Sequence, residues 1–345
     1  MRSLPPTAAL ALVVLGGVAS AAQGAANAEL GERVGSPVLG AVVNNAGGSL
    51  LVLVGLLALP SMRTGLAVLR RSRLPWWCYL GGLGGAAIIV IGTYVVPVLG
   101  VAVFTIAQVA GGSLGGLAVD RAGLAPVGRL ALTPSRVAGA LLGTAAVGLA
   151  QLGQPLGELA VGLVLLAVVG GLAVAVQSAL NGRVAAASTA AASTAMNFAV
   201  STPAVLAVAA LAGAFTVARP DWPPAWYLYT GGLLGVGIVA SLLVGVRALG
   251  VLRTGLALVA GQLGGGLLLD LLLPGGPGLR WPVLAGAVLT LVASVVAGQQ
   301  RRPAARTGPV SAGTRSVPAA RSPEDPAGRQ RRDSAYADRP VPPAG

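Results

Sequence analysis

The stretch Leu159–Leu180, LAVGLVLLAVVGGLAVAVQSAL, decides the fold class of this 345-residue chain. It runs uncharged for about 20 residues, the length a helix needs to cross bilayer hydrocarbon. A backbone can satisfy its polar groups in lipid only as a helix or as a closed barrel. Barrel strands alternate apolar and polar residues over about ten positions, and this stretch does not alternate. Nine similar blocks surround it: Thr7–Ala28, Val38–Leu59, Trp76–Val96, Leu99–Val119, Val137–Leu152, Ala190–Val217, Trp226–Val246, Leu249–Leu273 and Trp281–Ala297. The pattern predicts an all-α polytopic membrane protein of about ten transmembrane helices. The short fifth block reads as a tilted or partly interfacial helix, and discounting it would leave nine spans. Pro97 marks the expected break between the third and fourth blocks.

Composition agrees. Apolar residues make up 55% of the chain and charged residues 10%, with mean hydropathy +0.81, whereas soluble domains are about 25% charged. Glycine, at 52 residues, lies largely inside the apolar blocks, where small residues let helices approach closely. There is no histidine and one cysteine, Cys78. Histidine-based metal sites, a histidine general base and cysteine clusters are therefore excluded, and no cofactor is expected. No phosphate-binding Gly-x-x-x-x-Gly-Lys loop occurs either.

All 23 basic residues are arginines. Those in residues 1–300 sit between the blocks or, as Arg253 does, near a block's end, too dilute for a nucleic-acid surface, and read as topology and lipid-headgroup charges. With ten spans and a cytoplasmic N-terminus, one side holds Arg63, Arg70, Arg71, Arg73, Arg121, Arg129, Arg136, Arg183, Arg247 and Arg253. The outer connections hold only Arg33, Arg219 and Arg280. This bias predicts a bacterial cytoplasmic-membrane protein with both termini inside. Residues 299–345 are rich in Arg, Pro, Ser, Gly and Ala and are expected to form a disordered cytoplasmic tail.

The blocks repeat. Gly81-Gly82-Leu83 recurs 150 residues on as Gly231-Gly232-Leu233, Leu99-Gly100-Val101 as Leu249-Gly250-Val251, and Asp120 as Asp270. Near the start of each half the offset is 154, where Gln23 and Asn27 meet Gln177 and Asn181. The expected domains are therefore residues 1–155 and 156–298, five spans each, followed by the tail. The match also makes the first block the partner of an internal helix, so it reads as a retained span rather than a cleaved signal peptide. Because five is odd, the second repeat must enter the membrane inverted, an arrangement common in secondary transporters.

The Gln-x-x-x-Asn of the first helix (Gln23, Asn27), the Pro-Trp-Trp and Gly-Gly-x-x-Gly opening the third (Pro75–Gly85), and Ala260–Leu263 with Asp270 in the second half resemble one family. It is the YdcZ-like bacterial inner-membrane family of the drug/metabolite transporter superfamily. The resemblance spans about residues 10–298 and implies a five-span unit, here fused in duplicate, that moves solutes across the inner membrane. The first half departs from the pattern at Gly112, where the second half has Gln262.

Polar residues in the apolar blocks are the candidate path. Gln23 and Asn27, like Gln177 and Asn181, are four apart and share a helical face. Asn44, Asn45, Asn197 and Gln262 lie deeper, where a polar side chain usually faces the bundle interior. Gln108 ranks below them, because Leu258 stands at its equivalent position. Asp120 and Asp270 close the fourth and ninth helices against the helix dipole, so each calls for a partner. Together with Glu29 they are the candidates for gating or for proton or ion coupling, since no carboxylate falls mid-span. The first and sixth, second and seventh, and fourth and ninth spans form the expected wall.

These features predict a secondary transporter of a small polar or amphipathic metabolite, working by alternating access, with efflux implied by the resemblance. Membrane lipids are the other expected partners, nucleic acid is not one, and the oligomeric state is left open. Alternative readings are a membrane scaffold or regulator acting through the tail, and a lipid or lipid-carrier translocase. An enzyme is disfavoured, because Glu29 and Glu32 are the only close acid pair before the tail.

Overall fold

In the computed structural model, the residues described are 5–126, 128–153, 158–216, 221–249, 251–272 and 279–298. The predicted tail and the side chain of Arg247 lie outside them. The helices are α1 (Pro6–Arg33), α2 (Pro37–Ala58), α3 (Pro60–Arg71), α4 (Gly82–Leu99), α5 (Val101–Ala122), α6 (Pro134–Ala150), α7 (Glu158–Ala187), α8 (Ala190–Leu211), α9 (Gly231–Leu249), α10 (Val251–Leu272) and α11 (Trp281–Gly298). Single 3₁₀ segments, Trp76–Gly81 and Trp226–Tyr229, lead into α4 and α9. Proline opens α1, α2, α3 and α6, where its missing N–H would be unpaired anyway.

All-helical, polytopic architecture is what these elements show. Eight of the described helical segments are long and apolar enough to cross a membrane. The fifth block became α6, whose 17 residues reach about 25 Å at 1.5 Å per residue. In the eighth, the stretch Gly231–Leu242 is apolar but shorter than a full span. Outward positions carry large apolar side chains such as Leu15, Leu57, Leu141, Leu165, Leu233 and Val288, as surfaces facing acyl chains do.

Two local expectations change. The basic connection after the second block contains a helix, α3. The break between the third and fourth spans falls at Gly100, not Pro97: Gly100 has φ +82°, and α4 carries Pro97 within its last turn. Only glycine takes that backbone geometry without strain.

The two halves interleave. The first helix of each half lies along the third and fourth spans of the other: α1 along α9 and α10, α7 along α4 and α5. Glycines make this possible. A Cβ at Gly17 would lie 2.7 Å from Gln262 N and Gly261 Cα, and one at Gly171 would lie 2.7 Å from Gly112 N and 2.9 Å from the Gln108 carbonyl carbon. The two contacts are the same contact in the two repeats.

The last helices pair as α6 on α11. Gly139, early in α6, faces Ala293 and Ala297 late in α11; Gly286, early in α11, faces Ala146 and Ala150 late in α6. Early-to-late contact in both directions makes the pair antiparallel, as inverted repeats require. At the centre α2 crosses α8, and Ser49 Oγ lies 2.7 Å from Thr202 Oγ1.

Candidate functional site

Two amide clusters sit where each first helix meets the second span of its own repeat and the third of the other. In the first, Gln23 Nε2 on α1 donates to Asn44 Oδ1 on α2 at 2.9 Å and to the Gly231 carbonyl opening α9 at 2.7 Å. In the second, Gln177 Nε2 and Asn181 Nδ2 on α7 both donate to Asn197 Oδ1 on α8, at 2.9 and 2.8 Å. Glycines admit these side chains. Gly231 abuts Oδ1 of Asn27 and of Asn44, and Gly81, its equivalent, abuts Oδ1 of Asn181. Gly235 and Gly85 repeat the arrangement beneath Gln23 and Gln177.

The clusters are equivalent but not identical. Asn181 bonds to Asn197, whereas Asn27 makes no such bond to Asn44 among the described residues. Asn27 lines a cavity instead. That cavity, about 110 Å³, lies between α1, α4 and α5, and its polar lining is Ser20, Gln23, Asn27, Thr93 and Gln108, with Phe104 and isoleucines completing it. No lining residue carries a formal charge. Ser20, Thr93, Phe104 and Gln108 thus join residues singled out from sequence. Ser20, Gln23 and Asn27 fall at i, i+3 and i+7 on α1, one helical face, a pattern that would have found Ser20. Gln108 was set aside for lacking an amide counterpart, but a cavity wall need not be symmetric.

The wall also includes α4, the third span, which was not among the expected ones. Gln262 does not line that cavity but joins its wall: it donates to Ser20 Oγ at 3.0 Å and, with Gln108, lines a second cavity of about 450 Å³ between α5, α7, α10 and α11. Asn45 is buried at the α2–α8 crossing, where its Oδ1 accepts from Ser201 Oγ at 2.9 Å and its Nδ2 has no partner among the described residues.

Each acid candidate has a partner. Asp270, at the end of α10, accepts from the Val101 and Ala102 amides at 2.7 and 2.9 Å. A C-terminal acid of one helix thereby becomes the N-terminal cap of another, where the dipole favours it. Asp120 is ion-paired with Arg136 at the start of α6. Glu29 pairs with Arg33 one turn on, and Tyr227 Oη lies 3.4 Å away.

Among the described residues, no group of three or more metal-ligating side chains occurs. The arrangement offers hydrogen bonds and hydroxyl groups to a bound solute, and no general acid or base touches the cavity.

No curated protein and no solved structure matches the chain. The family described as "Putative inner membrane exporter, YdcZ" matches it twice, over residues 8–149 and residues 162–296. The two matches fall on the two halves whose helices exchange equivalent contacts, and the apolar helices place the chain in the inner membrane as a multi-pass protein. The chain belongs to this YdcZ family of the drug/metabolite transporters, described as inner membrane exporters.

Proposed function

We propose that this protein is a secondary transporter that moves a small, uncharged, hydrogen-bonding solute by alternating access, with both termini in the cytoplasm. One observation carries the reading: two equivalent amide clusters stand at matching places in the inverted repeats and differ in one hydrogen bond and an adjoining cavity. In both, the glutamine closes on the asparagine of the second span; Asn181 adds a bond to Asn197, whereas the buried Asn27 makes none to Asn44 among the described residues and lies beside a cavity. In inverted repeats, exchanging the conformations of the halves gives the opposite-facing state. In that state Asn27 would close on Asn44, and Asn181 would turn to a cavity between α7, α9 and α10.

The cargo class follows from the lining. Amides and hydroxyls replace water hydrogen bonds to a neutral polar molecule. An ion in the same cavity would lose its hydration with no opposite charge beside it, which costs several kcal/mol. Asp120, Asp270 and Glu29 remain the groups available for coupling, at span ends rather than at the cavity. Export, the family's assigned direction, is the direction we adopt.

The test is flux in proteoliposomes holding a panel of neutral, cationic and anionic metabolites, read by mass spectrometry with and without a proton gradient. Saturable movement of a neutral solute, reduced about tenfold or more by N27A and by N181A in correctly folded protein, is expected; tenfold corresponds to about 1.4 kcal/mol. Unchanged flux in both variants removes the amide clusters from the path.

A further inference from the structure

We infer that α3 is a binding site for anionic phospholipid headgroups at the membrane surface. The helix joins two spans, α2 ending at Ala58 and the segment beginning at Trp76, so it lies at the bilayer boundary. Its two faces differ. Met62, Gly65 and Leu69, at spacings of three and four, are buried. Gly65 packs against Thr189 and Ala192 at the start of α8, and Ser188 Oγ donates to the Gly65 carbonyl at 2.6 Å. Leu66 and Leu69 join Cys78, Val184 and Ala192 in a small core that includes Trp77 and Met196.

Arg63 and Arg70, seven residues apart, share one flank of the helix and Arg71 lies opposite the buried stripe, with Arg73 just beyond; all four are exposed. Among the described residues, none of these four arginines is ion-paired; the arginines that pair with Glu29 and Asp120 are Arg33 and Arg136. Trp76, 73% exposed, stands beside them as interfacial tryptophans do.

The charge of α3 identifies the occupant. Residues 59–75 hold four arginines and no acid, while the equivalent connection, residues 212–225, holds Arg219 and Asp221 and is neutral. The described part of that connection forms only the short 3₁₀ turn Ala214–Thr216. The sign of that difference follows from the opposite sides the two connections face; what calls for a ligand is that four exposed arginines gather on one boundary helix with no ion-pair partner among the described residues. The tail is no candidate occupant, for residues 301–345 have nine arginines against four acids. An anionic surface complements α3, and arginine forks match phosphate oxygens in bidentate geometry.

The experiment is native mass spectrometry of the full chain from nanodiscs of mixed phosphatidylglycerol and phosphatidylcholine. Wild type should retain phosphatidylglycerol preferentially. Replacing Arg63, Arg70, Arg71 and Arg73 together by glutamine should lower that preference by on the order of tenfold or more, at about fivefold per arginine near the surface as an upper guide. Replacement of the same four by lysine should keep most of it, and R219Q should leave it unchanged. Equal retention by the glutamine variant overturns the proposal. So does displacement of the lipid by millimolar inorganic phosphate, which would show a free-anion site. If the glutamine variant does not fold, single R63Q and R70Q variants carry the test, each expected to lose part of the preference and overturning the proposal if neither does.

Discussion

Gly231 shows how much one residue can decide. A side chain there would enter the space held by the Oδ1 atoms of Asn27 and Asn44, so G231A must turn those amides aside and break the Gln23–Asn44 bond, an expected cost of about 0.5–1.5 kcal/mol. G24A, with open space around it, should leave thermal unfolding in detergent nearly unchanged, and a like shift in both would refute the steric account. Asp270 is the second such residue. D270A strands the Val101 and Ala102 amides, each costing about 1–3 kcal/mol if left unpaired away from water. Unfolding measurements should show D270A well below wild type, with D270N recovering part of the loss through its one remaining acceptor. The sequence marked Asp270 as an acid needing a partner. It did not reveal that the partner was a pair of backbone amides 169 and 168 positions away, because an unbonded N–H leaves no trace in residue identity.

Among the elements, the α6–α11 pair tests the repeat most directly. Gly139 faces Ala297 Cβ at a built-in Cβ distance of 2.5 Å, and Gly286 faces Ala150 Cβ at 2.9 Å. Substituting either glycine by leucine should lower stability by a similar amount, about 1–3 kcal/mol, because the two contacts are copies. G148L, at a position with open space, is the control, and a large difference between G139L and G286L would break the equivalence. All ten apolar blocks fall on helices, but α7 runs on to Ala187, past the sixth block's end at Leu180, and α8 ends at Leu211, short of the seventh block's end at Val217. Hydropathy suffices there because a spanning helix must be both long and apolar. The same criterion passed over α3, whose helical character lies in the spacing of Met62, Gly65 and Leu69 rather than in mean hydropathy.

For the molecule as a whole, orientation is the open prediction. In a C78A background, cysteines placed at the exposed positions Thr64 and Asp221 should react with impermeant thiol reagents from opposite sides, Thr64 from the cytoplasm. Labelling of both from one side would refute an inverted pair of five-span repeats. The two halves are adjacent in sequence yet interleaved in space, with α1 on α9 and α10 and α7 on α4 and α5. A rocking motion would therefore exchange helices between shared interfaces rather than separate two bodies.

By itself the sequence determined the membrane class, the inverted duplication and the candidate amides, since each follows from local hydropathy, arginine placement and fixed offsets. Tertiary structure decided which amides meet. Gln23 could equally have faced its counterpart Gln177 across the repeat axis; instead each closes on an asparagine of its own half, because glycines at 231 and 81 let the opposite half approach there. The cavity beside Asn27 was likewise hidden, for it exists only where Ser20, Thr93, Phe104 and Gln108 converge from three helices. Pairing and empty space depend on distances between segments far apart in the chain, and those distances are set by packing.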